Sequence, residues 1–306
     1  MHDKQNKPSF PLFPSFQRWF ESRAAFFLKR KISMKLLTRA LPLALIFSTI
    51  VALGGCASLS QDQITQIVAS PDRSAADKTN DVRRKPEQML AFIGIKPGMV
   101  ALDLSAGGGY TTELLARAVG PNGRVYGQSA PRPAPGAPAR LPVAPEGGAA
   151  PAAPATPRPT SPQALEARAK NPAVSHIVAV VRPFEAPVPS ELAAGGLDVV
   201  TLMFNYHDLG HMGVDRARMN QAVFAALKPG GIYVIADHSG RPGTGISEAG
   251  TLHRIEEAFL IKEIEASGMK FLAQGNFLRN PADPRDKNTP NPPMPKDEFV
   301  VKFVKP

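Results

Sequence analysis

From about residue 86 onward, two periodicities alternate along the chain. Short apolar runs at Met99–Leu104, Gly123–Gly127, His176–Val181, Leu197–Phe204 and Ile232–Ala236 have the length of strands. Leu197–Phe204 (L-D-V-V-T-L-M-F) is nearly continuous in apolar residues, as a strand covered on both faces by helices requires. Between the runs lie helical patterns at Thr111–Val119 and Gln163–Lys170. A further helix is capped by Asp215, with Met219, Ala222, Val223, Ala226 and Leu227 on one face, and another spans Thr251–Ala266. Upstream, Lys85–Ile93 reads as a helix with Pro86 in its first turn, and Gln61–Ala69 as a short one. Two last strands, Lys270–Gly275 and Glu298–Val304, flank a Pro- and Asn-rich loop with no helix between them. Five strand–helix units and a terminal strand pair predict an α/β fold, a doubly wound, mostly parallel seven-stranded sheet with a closing antiparallel strand.

One segment breaks the alternation. Eleven of the 32 residues at 131–162 are Pro and nine are Ala, with no hydrophobic period. Such a stretch buries too little apolar surface to offset the entropy of ordering it, and it reads as a flexible insertion between the second strand and the next helix. The expected organisation is therefore an upstream extension or leader at 1–33, a signal segment at 34–56, a linker with a helix at 57–85, and the α/β domain at 86–306 interrupted by the insertion.

Charge changes the picture only at the front. The net charge of +10 is concentrated in residues 1–56, which hold nine Lys/Arg against two Asp/Glu. The remainder is nearly neutral, so the balance gives no reason to expect a nucleic-acid partner. Lys35 and Arg39 precede an apolar run, Leu41–Leu53, whose 13 residues suit a signal-peptide core and are too few to span a membrane. The run ends in Leu53-Gly54-Gly55-Cys56, which resembles a bacterial lipobox, and Cys56 is the only cysteine. The resemblance implies lipidation of Cys56 and a lipid-anchored protein of the cell envelope, or a cytoplasmic one where the signal is not used. Met34-Lys35-Leu36-Leu37 reads as a signal-peptide start, the rival being an aromatic-basic leader at 1–33 that touches the membrane surface.

Function is most legible at Val100–Tyr110 (V-A-L-D-L-S-A-G-G-G-Y). A strand carrying one acid, Asp103, breaks into a glycine turn and then a helix, an arrangement that sets backbone N–H groups and a helix N-terminus against a ligand. The dinucleotide spacing G-x-G-x-x-G asks for a small residue where this chain has Thr112. The pattern instead resembles motif I of class I S-adenosylmethionine-dependent methyltransferases: Asp103, Gly107 and Gly109 match, and Ser105 replaces the first glycine. The terminal strand pair and the Leu227–Gly231 turn (L-K-P-G-G) add to the likeness, which is greatest to a little-characterised bacterial group of predicted methyltransferases.

The resemblance implies S-adenosylmethionine as cofactor and a small molecule as methyl acceptor, through an oxygen or nitrogen nucleophile. Asp103 and the glycine turn would meet the amino-acid part of the cofactor. At the end of the second strand, where the class has an acid for the ribose hydroxyls, this chain has Gln128. Phe184 is placed to cover the adenine. Asn205-Tyr206-His207-Asp208 follows the fourth strand, near the transferred methyl, and faintly echoes the Asn/Asp-Pro-Pro-aromatic motif of amine and amide methyltransferases. A histidine titrating near neutrality can take a proton from an O–H or N–H nucleophile, which makes His207 the candidate base, Asp208 its orienting or substrate-pairing partner, and His238 a second candidate. His211, His253, Arg279 and Arg285 are weaker candidates. No H-x-x-x-H or Cys/His spacing points to a metal. Because S-adenosylmethionine is made in the cytoplasm while a lipobox implies export, the alternative is a catalytically inactive, membrane-anchored lipoprotein using the fold as a binding or scaffold module. A nicotinamide-dependent oxidoreductase is disfavoured by Thr112 and the strand pair.

Overall fold

The computed structural model describes residues 58–132, 159–288 and 294–306. The expected leader, the expected signal segment with Cys56, and most of the 131–162 insertion lie outside the described residues. No helix among the described residues is long and apolar enough to cross a membrane.

The chain enters through three helices, α1 (Gln61–Val68), α2 (Ala75–Arg84) and α3 (Pro86–Ile93). Ser60 and Gln63 cap α1 reciprocally, each side chain accepting from the other's backbone N–H. Lys85, with φ +44°, turns α2 directly into α3, whose first residue Pro86 has the φ a helix start needs. Then follow β1 (Val100–Leu104), α4 (Tyr110–Val119), β2 (Arg124–Ser129), α5 (Ser161–Ala169), β3 (Ile177–Val181) and β4 (Leu197–Met203). The second half contains α6 (Tyr206–His211), α7 (Arg216–Ala226), β5 (Leu227–His238), α8 (Ala249–Leu252), α9 (Glu257–Glu265), β6 (Lys270–Gly275) and β7 (Glu298–Val304).

The seven strands lie in the order β3-β2-β1-β4-β5-β7-β6, the first five parallel and β7 antiparallel to both β5 and β6. This is the doubly wound sheet with a closing antiparallel strand that the alternation of elements implied. Side chains alternate across the sheet. Leu102, Leu104, Val200, Leu202 and Ile235 pack against Leu209, Met219, Val223, Leu260 and Ile264 on one side. Ala101, Val125, Val199 and Val234 pack against Leu90, Ile93, Leu114, Leu115 and Leu165 on the other. Burial of both faces is why β1 and β4 read as nearly continuous apolar runs.

The structure corrects the expected elements in three places. The first is the polar 57–85 segment, which contains a whole helix, α2. Its sequence (A-A-D-K-T-N-D-V-R-R) has no apolar stripe, and ion pairs to distant residues hold it: Asp77–Arg168 at 2.6 Å and Arg83–Glu298 at 2.6 Å. In the second, between β3 and β4, no α-helix forms; Ser190–Leu192 is one tight turn, so there are four strand–helix units rather than five. The third is the predicted helix Thr251–Ala266, which is broken at His253 (φ +51°). There the backbone leaves the helical path, and Ile255 bridges to Ser239. Arg254, fully buried, forms a two-pronged ion pair with Asp283 at 2.8 and 3.1 Å. The break outweighs helix propensity because an unpaired guanidinium in that interior is costly.

Candidate functional site

In an open α/β sheet the ends of the parallel strands and the turns that follow them form the natural ligand crevice. Here β1 ends in Ser105-Ala106-Gly107-Gly108-Gly109. Ser105, Gly107 and Gly109 all have left-handed backbones, with φ +55°, +54° and +82°. A cleft of about 440 Å³ opens over this turn, lined by Ser105, Gly107, Ser129, Phe184, Asn205 and Met212. A β-carbon built on Gly107 meets only the Ser105 carbonyl, at 3.9 Å, so this glycine borders open space. Gly109 serves packing instead, since a β-carbon there falls 2.8 Å from Leu165 and 2.9 Å from Arg168.

Asp103 sits on the buried face of β1. Its carboxylate accepts from Thr112 Oγ1 at 2.6 Å and Thr201 Oγ1 at 2.8 Å. Burial pushes its pKa up, the two hydroxyls oppose this, and the outcome is about 6. The threonine that breaks the dinucleotide spacing is thus the group that holds the motif acid.

Gln128 has a different part from the one expected of it. It is fully buried; its Oε1 accepts from Ser105 N at 3.0 Å and its Nε2 donates to the Arg182 carbonyl at 2.7 Å. It staples the glycine turn to β2 and β3 and has no amide end facing the cleft. Its neighbour Ser129 does face the cleft, and Ser129 Oγ is buried with no hydrogen-bond partner among the described residues. Sequence reasoning missed Ser129. The available signal was the two-residue alternation of a strand, which puts consecutive residues on opposite faces.

Asn205 joins two halves of the site. Its Oδ1 accepts from Ser105 Oγ at 2.6 Å, and its Nδ2 donates to Asp208 Oδ2 at 2.6 Å. Phe204 before it takes φ +60°, uncommon for an aromatic residue, with its ring beneath the guanidiniums of Arg84 at 3.8 Å and Arg83 at 5.1 Å. Tyr206 turns into the core, donating to Glu263 at 3.0 Å and accepting from Asn220 at 2.9 Å, and does not reach the cleft.

His207 is 1% exposed. Its Nδ1 donates to Asp237 Oδ1 at 2.6 Å and its backbone N–H to Asp237 Oδ2 at 2.8 Å. On the other side Nε2 lies 3.2 Å from Asp208 Oδ1 and 3.3 Å from His253 Nδ1. Burial opposes charge on the ring, but Asp237 and Asp208 outweigh it and lift the pKa to about 10. Enclosed between two carboxylates, the ring does not line the cleft over the glycine turn. Asp208, its side chain about a quarter exposed, is held below the usual carboxylate range: burial pushes it up, and the imidazoles of His207, His253 and His211 outweigh that. His238 is fully buried, with Nδ1 3.1 Å from Glu298 Oε1, and Glu298 also pairs with Arg83.

The fold therefore gathers Asp103, Ser105, Gly107, Gln128, Phe184, Asn205, His207 and Asp208 at one end of the sheet. It adds His253, from the broken helix, and His211, whose Nε2 is 3.8 Å from Asp208. Arg279 pairs with Glu257 and Asp297, and Arg285 with Asp297, next to the start of β7. Linear spacing gave no metal motif, yet one ligand atom each of His207, Asp208 and His253 lie within 4.8 Å of one another.

No family model and no curated protein matches the chain. Solved structures of similar fold include an S-adenosylmethionine-dependent methyltransferase from Aquifex aeolicus, 15% identical, aligned over 81% of this chain and all of its own, with a TM-score of 0.49. Another is an arsenic(III) S-adenosylmethionine methyltransferase from Chlamydomonas reinhardtii, 17% identical over 79% of this chain and 73% of its own, with a TM-score of 0.47. A third is the cyclase SpnF, 14% identical over 76% and 82%, with a TM-score of 0.49. At these identities the likeness is one of fold.

Proposed function

We propose that the protein is an S-adenosylmethionine-dependent methyltransferase that methylates an oxygen or nitrogen of a small molecule. The observation that carries this reading is the cleft over the glycine turn, with a bare glycine at its floor and an orphaned buried hydroxyl, Ser129 Oγ, in its wall. A hydroxyl without a partner costs free energy unless a ligand satisfies it, and a ribose hydroxyl is such a ligand. On this reading Ser129 does what Gln128 was expected to do. Phe184, in the same cleft, offers an apolar face to the adenine, and the glycine turn receives the amino-acid end, with the Asp103 carboxylate buried behind it on Thr112 and Thr201.

The bound cofactor supplies an electrophilic methyl group. The chain's contribution is positioning, which by itself supplies much of a methyl transfer's rate. Asn205, tied to Ser105 and Asp208, orients the acceptor side. The partly exposed Asp208 is the charged group that meets the acceptor, and His207 positions Asp208. His238, enclosed with Glu298, supports the strand end.

Calorimetric titration of the full chain with S-adenosylmethionine and with NADH tests the reading. One equivalent of S-adenosylmethionine and no NADH should bind. Gly107→Val, which puts a branched side chain at the cleft floor, should abolish binding while the circular dichroism spectrum is retained. Normal binding by Gly107→Val refutes the glycine-turn site.

A second reading has support of its own. Ser105 stands where motif I has its first glycine, and both candidate bases are buried against carboxylates. A lipoprotein that binds the cofactor without transferring its methyl would show normal titration and no methyl transfer to any acceptor. In either reading Leu53-Gly54-Gly55-Cys56 is proposed as the lipid attachment point, with the domain at the cell envelope.

A further inference from the structure

Three atoms contributed by two separate segments form a nearly equilateral triangle beside the cleft. His207 Nε2 is 3.3 Å from His253 Nδ1 and 3.2 Å from Asp208 Oδ1, and His253 Nδ1 is 3.2 Å from the same oxygen. Two donors each about 2.1 Å from a zinc-like ion at the tetrahedral angle are about 3.4 Å apart, so the triangle has the size of one face of a coordination tetrahedron. Two imidazoles and one carboxylate are also the donor set that catalytic sites of divalent transition metals use, with further positions open.

The supporting groups point the same way. Metal-binding histidines commonly donate their second ring N–H to a carboxylate, which fixes the ring and directs the other nitrogen at the ion. His207 does this with Asp237, at 2.6 Å, and Asp237 is completely buried. Asp208 is oriented by Asn205 Nδ2 on its other oxygen, at 2.6 Å. His253 reaches the triangle only because the backbone breaks at φ +51°, a conformation that disfavours a β-carbon-bearing residue. His211 Nε2 lies 3.8 Å from Asp208 Oδ1, just outside the triangle.

We propose that His207, Asp208 and His253 bind a divalent transition-metal ion of the zinc class. The ion takes the place of the proton on His207 Nε2, which leaves to solvent, and its charge answers those of Asp208 and Asp237. Imidazole donors favour such ions over magnesium. The inference goes beyond methyl transfer and does not require it. If the methyltransferase reading also holds, an ion here lies one residue, Asn205, from the cleft and polarises an oxygen-bearing acceptor.

The test uses the untagged full-length chain in a Cys56→Ser background, so that no thiol competes. Zinc is measured by equilibrium dialysis and metal analysis, cobalt by its visible absorption, and S-adenosylmethionine by calorimetry on the same samples. One equivalent of zinc should bind, cobalt should give visible bands of a low-coordinate site, zinc should raise the melting temperature, and magnesium should do none of these. His253→Gln and Asp208→Asn should each weaken zinc binding by more than the roughly 10–100-fold typical of losing a supporting group alone. Asp208 is partly exposed, so its variant keeps the fold, and unchanged melting of the metal-free variants checks this. Wild-type protein that takes up no zinc, or variants that keep the wild-type affinity and cobalt spectrum, would overturn the proposal. Retained S-adenosylmethionine binding in that event would leave the methyltransferase reading standing.

Discussion

Replacing Asp103 by Asn probes the motif acid without changing its shape. In the folded protein the Asp103 pKa is about 6 against an ordinary value of 3.8, because burial outweighs the hydrogen bonds from Thr112 and Thr201. A raised carboxyl pKa means that the folded state holds its proton more tightly than the unfolded chain. Its contribution to stability is complete below pH 3.8 and is lost as pH climbs from there through 6. At 1.36 kcal/mol per pH unit, the roughly two-unit difference makes the ionised residue a burden of about 3 kcal/mol at pH 8. Asn is neutral at every pH, and either threonine hydroxyl can rotate to accept from its amide. Urea unfolding of both proteins between pH 4 and 8 should give nearly equal stabilities at pH 4 and an advantage for Asp103→Asn on the order of 2–3 kcal/mol at pH 8. Other titrating groups cancel in the difference. Parallel stability curves across that range would refute the argument, showing that Thr112 and Thr201 compensate fully for burial. The same variant should bind S-adenosylmethionine more weakly at pH 8, because the negative charge buried behind the glycine turn is gone.

Gly127→Ala should destabilise the domain by about 1–3 kcal/mol, since its β-carbon would lie 2.6 Å from Leu165 in a filled interior; a melting temperature at or above wild type would contradict this. Replacing residues 133–158 of the insertion, which leaves α5 and its Thr160 cap intact, with a short Gly/Ser linker should change stability by about 1 kcal/mol or less, because closure entropy grows slowly with loop length; a collapse of the melting temperature in that deletion would show that the segment packs on the domain. Expressed in a Gram-negative host, the full chain should be processed before Cys56 and recovered with membranes, and Cys56→Ser should abolish processing. A soluble, unprocessed protein whose distribution is the same in both forms would exclude the lipid anchor.

Much of the architecture was written in local pattern. Leu197–Phe204 could be read as a buried strand because both of its faces meet helices, so only Asp198 and Thr201 interrupt its apolar residues. The ends of β6 and β7, Lys270–Gly275 and Glu298–Val304, coincide with the apolar runs between turn residues. The glycine turn was legible because a left-handed backbone over an open cleft selects glycine at 107 whatever the rest of the chain does.

What stayed hidden depends on partners far away along the chain. Ala75–Arg84 has a Ser74 cap and end charges that suit a helix but no apolar stripe, since it is held by Arg168 and Glu298, and pairings over such separations leave no local period. The choice between Gln128 and Ser129 turned on which face of β2 meets the cleft, and one residue of register reverses every such assignment. His253 belongs to a helix by local pattern and to the site by tertiary contact, because burying Arg254 against Asp283 breaks the helix just there. His207 shows the same division most clearly. Its residue type promised a base titrating near neutrality, and only the fold encloses it between Asp237 and Asp208 and raises its pKa, since the field at a buried ring is set by charges that three-dimensional packing brings within 4 Å.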